Sequence, residues 1–218
     1  MSFQLSKDQI DAIDGICDQL LHVTPAHTPS VAVLTGAAGT GKSTVVGEII
    51  NRIKQYNSLM DISLCATTHR AAAVLSDIVN EPVSTGHALF KLRPGVTKYG
   101  KETLKNVGIS EVQFDSVVII DEASMIGNQF LEAIVKVIKH RNLKLLFVGD
   151  PFQLPPPSDT CSIFDGSLLT FKLTKVHRQV GDNPILDKAT EFRQFIEGSL
   201  QTEPTIDTHL NAAGEGIH

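Results

Sequence analysis

The segment that decides the fold reads Val31-Ala32-Val33-Leu34-Thr35-Gly36-Ala37-Ala38-Gly39-Thr40-Gly41-Lys42-Ser43-Thr44. Its apolar first part predicts a buried strand, and the remainder matches G-x-x-x-x-G-K-[ST] in front of a predicted helix. The glycines allow the backbone to turn tightly and bring its amide groups close to phosphate oxygens. The pattern therefore predicts a phosphate-binding loop over residues 36–44 and a nucleoside triphosphate as its ligand.

The end of this loop carries a charge and a hydroxyl group. Lys42 is suited to bind the β- and γ-phosphates, and the Ser43 hydroxyl is placed to ligate Mg²⁺. The helix that starts near Lys42 adds unpaired N–H groups and the positive end of its dipole. A glycine-rich surface turn is the alternative, but such a turn does not require glycines, lysine and serine in this register after a buried strand.

A second motif is the apolar run of residues 117–120 followed by Asp121 and Glu122. A buried strand that ends in two acids places them at the carboxyl edge of the sheet, where α/β proteins bind ligands. Asp121 is suited to hold Mg²⁺, and Glu122 to orient or deprotonate an attacking water. An exposed turn at a strand end is the competing interpretation. The distance to the phosphate loop and the Asp-Glu order favour hydrolysis.

A third strand, over residues 143–148, is followed by Gly149, Asp150 and a proline-rich loop that contains Gln153. Gln153 is suited to bond the γ-phosphate or the attacking water and so to report whether the nucleotide is intact. The prolines stiffen the loop, which suits a part that transmits movement. By chemistry alone, an ordinary turn remains open as an alternative.

Composition favours a compact intracellular enzyme domain. The chain has 218 residues, of which 42% are hydrophobic and 20% charged, enough to bury a sizeable core. No apolar run reaches the roughly 18–20 residues of a membrane span, and the first residues do not form a signal peptide. The three scattered cysteines predict free thiols in a reducing compartment. The net charge of −5 argues against a generally basic nucleic-acid binder, so any such surface must be local.

Apolar strands alternate with amphipathic helices along the chain, which predicts a parallel sheet covered by helices on both faces. We predict helices over residues 5–21, 44–53, 69–79, 127–139 and 183–198, and strands over 31–34, 62–66, 117–120 and 143–148. Ser6 and Gln9 resemble a capping box at the start of the first helix. The polar residues 199–218 resemble a linker.

Six segments together resemble superfamily 1 helicases, and most closely their RecD/Dda-like branch. They are GAAGTGKST (36–44), ATTHRAA (66–72), STGH (84–87), DEASM (121–125), GDPFQLP (149–155) and LTKVHRQ (173–179). The resemblance covers residues 4–198 in the order of the family. It implies a RecA-like P-loop fold, ATP and Mg²⁺ as cofactors, and 5′→3′ translocation on single-stranded DNA.

The resemblance also implies roles at both ends of the nucleotide. Gln9 corresponds to the residue that reads adenine, although a plain helix-capping role is the alternative. Arg178 corresponds to an arginine that reaches the γ-phosphate, and such an arginine can contribute about 10³–10⁵ in rate. A surface ion pair is the alternative for Arg178.

For DNA, the resemblance points to Thr67, Thr68 and His69, and to His87 of the STGH segment. Hydroxyl and imidazole groups can bond phosphates or pack on bases without a net positive charge. A helix-capping role is the alternative for His69. Residues 91–105 carry five basic residues and one acid, with Phe90 and Tyr99 as candidate stacking faces. Relatives place a strand-separating pin in this region, so we expect a small insertion over about 91–114; a solvated loop is equally open.

We therefore expect one RecA-like ATPase motor domain over residues 1–198, followed by a linker or the start of a second domain over 199–218. The expected function is the first motor domain of a DNA helicase that also needs a second RecA-like domain. We expect a monomer that acts on single-stranded DNA or duplex junctions, without a membrane, in the cytoplasm of a bacterium or a phage-infected host cell. An RNA-directed superfamily 1 motor and a nucleotide-binding regulatory module without unwinding activity are the alternatives.

Overall fold

A computed structural model describes residues 4–21, 30–96, 98, 100, 102–138, 141–156, 159–177, 184–205, 209–210 and 216–217. The helices are α1 (Lys7–Leu21), α2 (Lys42–Tyr56), α3 (His69–Val79), α4 (Gly86–Leu89), α5 (Asn128–Ile138) and α6 (Pro184–Ile196). The strands are β1 (Ser30–Gly36), β2 (Ile62–Ala66), β3 (Val83–Thr85), β4 (Leu92–Val96), β5 (Glu102–Asn106), β6 (Val117–Asp121), β7 (Lys144–Gly149), β8 (Leu169–Leu173), β9 (His209–Leu210) and β10 (Gly216–Ile217).

Six strands form one parallel sheet in the order β3-β2-β6-β7-β1-β8. Thr35 at the end of β1 lies opposite Gly149 at the end of β7, and Ala66 at the end of β2 lies opposite Asp121 at the end of β6. Because the strands are parallel and in this register, their carboxyl ends lie along one edge of the sheet. The predicted P-loop α/β fold is confirmed.

Buried side chains alternate between the two faces of the sheet, as the period of two in a strand requires. One core cluster contains Ala32 and Leu34 of β1 together with the buried faces of α1 and α2. The other contains Val33 of β1 and buried residues of α5. The sheet is therefore covered by helices on both faces, which explains why its central strands read as continuous apolar runs.

The sequence analysis missed the two strands at the edges of the sheet, β3 and β8. The short β3 follows Pro82, and only Leu173 of β8 is fully buried, so neither strand shows a continuous apolar run. The analysis also missed the antiparallel hairpin of β4 and β5. Phe90, predicted as a base-stacking face, is fully buried instead, edge-on to Phe130 at 6.2 Å. That prediction was wrong because Phe90 belongs to the core.

The chain divides into two compact units, residues 1–177 and 178–218. The first contains the sheet and the hairpin. The second contains α6 and the short antiparallel pair of β9 and β10. Helix α6 was predicted as part of the motor domain, and the single domain over 1–198 stays a prediction. In the part of the chain that the structure describes, no helix is both apolar enough and long enough to cross a membrane.

Candidate nucleotide and nucleic-acid site

Each of the six strands of the main sheet leads into residues of a predicted motif, and these residues lie along the same edge of the sheet. In spatial order from β3 to β8, the strand ends lead to residues 86–87, 67–69, 121–122, 150–153, 36–44 and 174–177. Neighbouring strands of a parallel sheet lie about 4.8 Å apart. The two predicted groups of residues, for nucleotide and for DNA, therefore occupy adjacent halves of one edge, with Asp121 and Glu122 between them.

The phosphate loop holds its lysine through the loop's own backbone. The Lys42 ammonium donates hydrogen bonds to the carbonyls of Gly36 at 2.8 Å and Ala37 at 3.2 Å. Gly41 has a φ of 83° and lacks a side chain to cap α2, so the first N–H groups of that helix have no side-chain acceptor from the cap position. Such N–H groups and a nearby ammonium are the donors that a phosphate requires.

Gln9 is fully buried and links α1 to the phosphate loop. Its amide nitrogen donates to the carbonyl of Thr40 at 3.0 Å, and its amide oxygen accepts the N–H of Ser6 at 3.0 Å. A Cβ atom at residue 41 would lie 2.5 Å from the Gln9 amide, so only glycine fits there without a shift. The bond to Ser6 confirms the predicted capping contact. Adenine recognition by Gln9 stays a prediction.

The two acids after β6 lie in different environments. Burial raises the pKa of Asp121, whereas the Glu122 N–H, at 2.9 Å from its carboxylate, and the charge of Lys42 act in the opposite direction. Burial and then the charge of Asp121 raise the pKa of Glu122, and Lys42 opposes this shift. Glu122 also has a φ of 56°, a left-handed conformation that is uncommon outside glycine and asparagine. A raised pKa improves a carboxylate as a proton acceptor.

The loop after β7 packs against the turn that follows these acids. A Cβ atom at Gly149 would lie 3.2 Å from the backbone nitrogens of both Ala123 and Ser124. The buried Asp150 side chain accepts the Phe152 N–H at 3.1 Å and thereby shapes the loop. Gln153 is exposed at the tip of this loop. Its predicted position beside the acids is consistent with the strand order, and its role stays a prediction.

The residues present fit Mg²⁺ and a triphosphate. Magnesium prefers hard oxygen ligands, and the Ser43 hydroxyl and the Asp121 carboxylate are of this kind. The negative charges of Asp121 and Asp150 both raise the pKa of Glu122, and Lys42 is the opposing cation. A cluster with this excess of negative charge is suited to a divalent cation, which would remove the repulsion.

A further contact at this end of the sheet was missed by the sequence analysis. The segment after β8 is held by Asp8, whose carboxylate accepts the N–H groups of Thr174 at 3.0 Å and Lys175 at 3.2 Å. The N–H of His177 donates to the carbonyl of Gly39 in the phosphate loop at 2.8 Å. The only signal in the sequence was an acid in the first turn of α1, which is common in helices.

On the other half of the edge, Thr68 caps α3 by accepting the Ala71 N–H at 3.1 Å. The predicted alternative role of His69 as the capping residue is therefore wrong, and the His69 side chain is exposed. The Thr67 hydroxyl contacts the sulfur of Met125 at 3.8 Å. Met125 ends the turn that follows Glu122, so this contact joins the acids to the predicted DNA residues.

A cavity of about 620 Å³ opens beside Thr67. It is lined by residues of α4, the hairpin, α5 and the turn after Glu122, among them His87, Pro94, Val96, Leu104, Met125 and Phe130. The His87 ring lies 4.9 Å from the Phe130 ring, and burial lowers the pKa of His87. Burial therefore favours the uncharged imidazole, and the cavity combines flat, apolar faces with a few polar residues, among them Thr67 and Gln129.

The hairpin also carries positive charge, at positions that alternate with its cavity-lining residues Pro94 and Leu104. Arg93 and Lys105 lie directly opposite each other across the hairpin, and both side chains are exposed. Like charges in this arrangement are destabilising and favour a bound anion. Lys91 instead pairs with Glu111, which reduces the local excess of charge. The predicted residues Tyr99 and Arg178 lie outside the described residues.

Comparison with known proteins agrees with this geometry. The model of the AAA domain family matches residues 19–159. The chain is 29% identical over 187 residues to the ATP-dependent RecD2 DNA helicase of Deinococcus radiodurans, covering 85% of this chain and 23% of that protein. It is 28% identical over 184 residues to the ATP-dependent DNA helicase dda of Enterobacteria phage T4, covering 81% of this chain and 40% of that protein.

The crystal structure of Pif1 helicase from Candida albicans shares the fold, with a TM-score of 0.61 at 18% identity over 93% of this chain and 45% of that one. This chain thus spans well under half the length of the curated relatives named above. The family model covers more than half of the chain, and the described residues of all six motifs lie at one sheet edge. The chain therefore belongs to the AAA domain family, within the RecD/Dda-like helicase motors of superfamily 1.

Proposed function

We propose that this chain binds and hydrolyses ATP as the first motor domain of a DNA helicase that translocates 5′→3′ on single-stranded DNA. The observation that carries the proposal is the meeting of phosphate loop, acids and predicted DNA residues on one sheet edge. RecD2 and Dda, which the chain resembles, are named ATP-dependent DNA helicases. This favours DNA over RNA as the substrate.

In the hydrolysis step, Lys42 exchanges its bonds to the loop carbonyls for the β- and γ-phosphate oxygens. Ser43 and Asp121 would hold Mg²⁺, which neutralises phosphate charge when it is bound. Glu122 accepts the proton of the water that attacks the γ-phosphate, and its raised pKa makes it a better base. Gln153 contacts the γ-phosphate or that water. Arg178 stabilises the charge of the transition state.

For the nucleic acid, we propose that single-stranded DNA crosses Thr67, Thr68 and His69 and places a base in the cavity beside His87. The cavity is large enough for a base, and its aromatic and apolar lining suits stacking without sequence preference. Phosphates of the strand would relieve the repulsion between Arg93 and Lys105. We propose that the hairpin that carries these two residues separates the duplex.

Movement along DNA requires a second RecA-like domain that closes on ATP, and we propose that such a domain works with this one. A single motor half should bind its ligands without translocating. A monomer without membrane attachment, in the cytoplasm of a bacterium or a phage-infected host cell, stays a prediction.

The test is ATP hydrolysis by the full native protein with single-stranded DNA, RNA of the same sequence, or no nucleic acid. The proposal predicts greater stimulation by DNA than by RNA, and strand displacement only from substrates with a 5′ tail. Stimulation by RNA alone would identify an RNA motor. ATP binding without stimulation by either would indicate a regulatory module.

A further inference from the structure

The residues at the start of α1 contact two separate parts of the nucleotide half. Gln9 bonds the carbonyl of Thr40 in the phosphate loop, and Asp8 bonds the N–H groups of Thr174 and Lys175 after β8. These two neighbouring side chains therefore join the phosphate loop to the segment 174–177 through one turn of helix.

The Asp8 contacts are charge-assisted. Burial by itself would raise the pKa of Asp8, but hydrogen bonds from the Ser6 hydroxyl and from the N–H groups of Lys175, Thr174 and Gln9 lower it to about 2. The carboxylate is therefore ionised at neutral pH. Hydrogen bonds to an ionised acceptor contribute more than neutral ones.

Two further contacts attach the last residue of the segment 174–177. The His177 N–H donates to the Gly39 carbonyl at 2.8 Å, and the His177 ring lies 3.2 Å from the Ser6 hydroxyl, which also bonds Asp8. Leu173 at the end of β8 packs beside Gly36, where an added Cβ atom would lie 3.1 Å from its side chain. The segment is thus attached to the phosphate loop both directly and through α1.

We infer that Asp8 is a positioning residue for nucleotide hydrolysis, whose carboxylate fixes the segment 174–177 against the phosphate loop. The inference rests on the proposed function, because Arg178, which follows this segment directly in the chain, is the residue proposed to stabilise the transition state. The bonds of the Asp8 carboxylate go to Ser6, Gln9 and the segment after β8, not to the phosphate loop itself. It holds residues 174–177, which directly precede Arg178 in the sequence, so we expect it to affect turnover more than nucleotide affinity.

The first experiment compares steady-state ATP hydrolysis of Asp8→Asn with the parent, in the full native protein. Asparagine keeps the shape but lacks the charge, so kcat should fall about tenfold with KM changed less than about twofold. Asp8→Glu restores the charge and should recover part of the loss. Asp11→Asn, on the exposed side of the same helix, makes the same charge change and should leave kcat unaltered.

The second experiment is a double-mutant cycle between Asp8 and Arg178. Arg178→Ala should lower kcat by about 10³-fold or more, and adding Asp8→Asn to that variant should lower it no further. Independent, multiplicative losses would overturn the inference, since Asp8 would then act by another route. Ser6→Ala provides a milder variant that keeps both backbone bonds of Asp8, and its loss should be smaller than that of Asp8→Asn.

Lys42→Ala is assayed in parallel, so that failure of the proposed function can be distinguished from failure of the inference about Asp8. If Lys42→Ala binds and hydrolyses ATP like the parent, the proposed function fails. If Lys42→Ala is inactive while folded Asp8→Asn keeps the parent kcat, only the inference about Asp8 fails. A rise in KM with unchanged kcat would also overturn it, because Asp8 would then support binding of the nucleotide.

Discussion

The two halves of the sheet edge hold their side chains by different means. In the nucleotide half, the polar groups are fixed by backbone partners: Lys42 by loop carbonyls, Gln9 by Thr40, and Asp8 by the N–H groups after β8. In the other half, Thr68 accepts a backbone N–H, but Thr67 and His87 contact a sulfur, an aromatic ring and an apolar cavity. The first half is organised for chemistry at one position, whereas the second is the surface on which we propose that successive bases exchange.

The largest expected effect is in the nucleotide half, where the rate of ATP hydrolysis should fall while ligand affinity stays nearly the same. Glu122→Gln removes the base but keeps the size, so ATP turnover should fall by about 10²–10⁴-fold, while affinities for an ATP analogue and for DNA stay near those of the parent. Single-turnover hydrolysis and titration calorimetry measure the two quantities. Turnover at the parent rate would mean that the base lies elsewhere on the edge.

The next effect concerns the phosphate loop. Lys42→Ala removes a charge-assisted donor to the phosphates, so affinity for an ATP analogue should weaken by about 10- to 100-fold. Ser58→Ala, in the turn after α2, is a matched surface control that should change nothing. Titration with a non-hydrolysable analogue decides this, and unchanged affinity in Lys42→Ala would contradict the assignment of the loop.

A smaller effect is expected in the other half. His87→Ala removes one face of the cavity beside Thr67, and a stacked base contributes about 1–3 kcal/mol. Affinity for single-stranded DNA should therefore fall about fivefold or more, measured by fluorescence anisotropy with labelled oligonucleotides. Because the strand contacts few phosphates, affinity should depend only weakly on salt. The slope of log K against the logarithm of the salt concentration should be about −0.7 for each phosphate contacted. If His87→Ala binds single-stranded DNA with the affinity of the parent, the strand does not enter the cavity.

The smallest expected effect is on stability and follows from the ionised carboxylate of Asp8. The pKa of Asp8 is lowered to about 2 from 3.8, so its bonds stabilise the fold above pH 3.8 and are lost as the pH falls through 2. Asp8→Asn should lower the free energy of unfolding by about 1 kcal/mol at pH 7. Denaturant unfolding from pH 7 to 2 should show this difference shrinking below pH 4; a constant difference would refute the charged contact.

The same contrast explains what could be predicted from the sequence. The phosphate loop and the Asp121–Glu122 pair follow buried central strands, so an apolar run fixes where each motif emerges. The edge strands β3 and β8 are only partly buried, and no such run marks them. Consequently apolar runs predicted the central strands, whereas the motifs at the two ends of the sheet edge were found only through the family resemblance and without their strands.

The contacts of Asp8 and the cavity beside His87 could not be predicted for a related reason. Both join residues that are distant in sequence, such as Asp8 with Thr174 and Thr67 with Met125. Helical and strand periodicity carry no information about such pairs. The basic residues of 91–105 were visible, but the opposition of Arg93 and Lys105 depends on the register of the hairpin. For Phe90, proximity to the basic residues suggested exposure, whereas packing on Phe130 decided its burial.

The central claim is that one sheet edge is divided into a nucleotide half and a DNA half. The most direct test is a reciprocal titration of Lys42→Ala and His87→Ala in the full native protein, each with an ATP analogue and, separately, with single-stranded DNA. We predict that Lys42→Ala loses nucleotide affinity and keeps DNA affinity, and that His87→Ala does the reverse. Loss of both ligands in either correctly folded variant, or of neither ligand in both, would contradict the division.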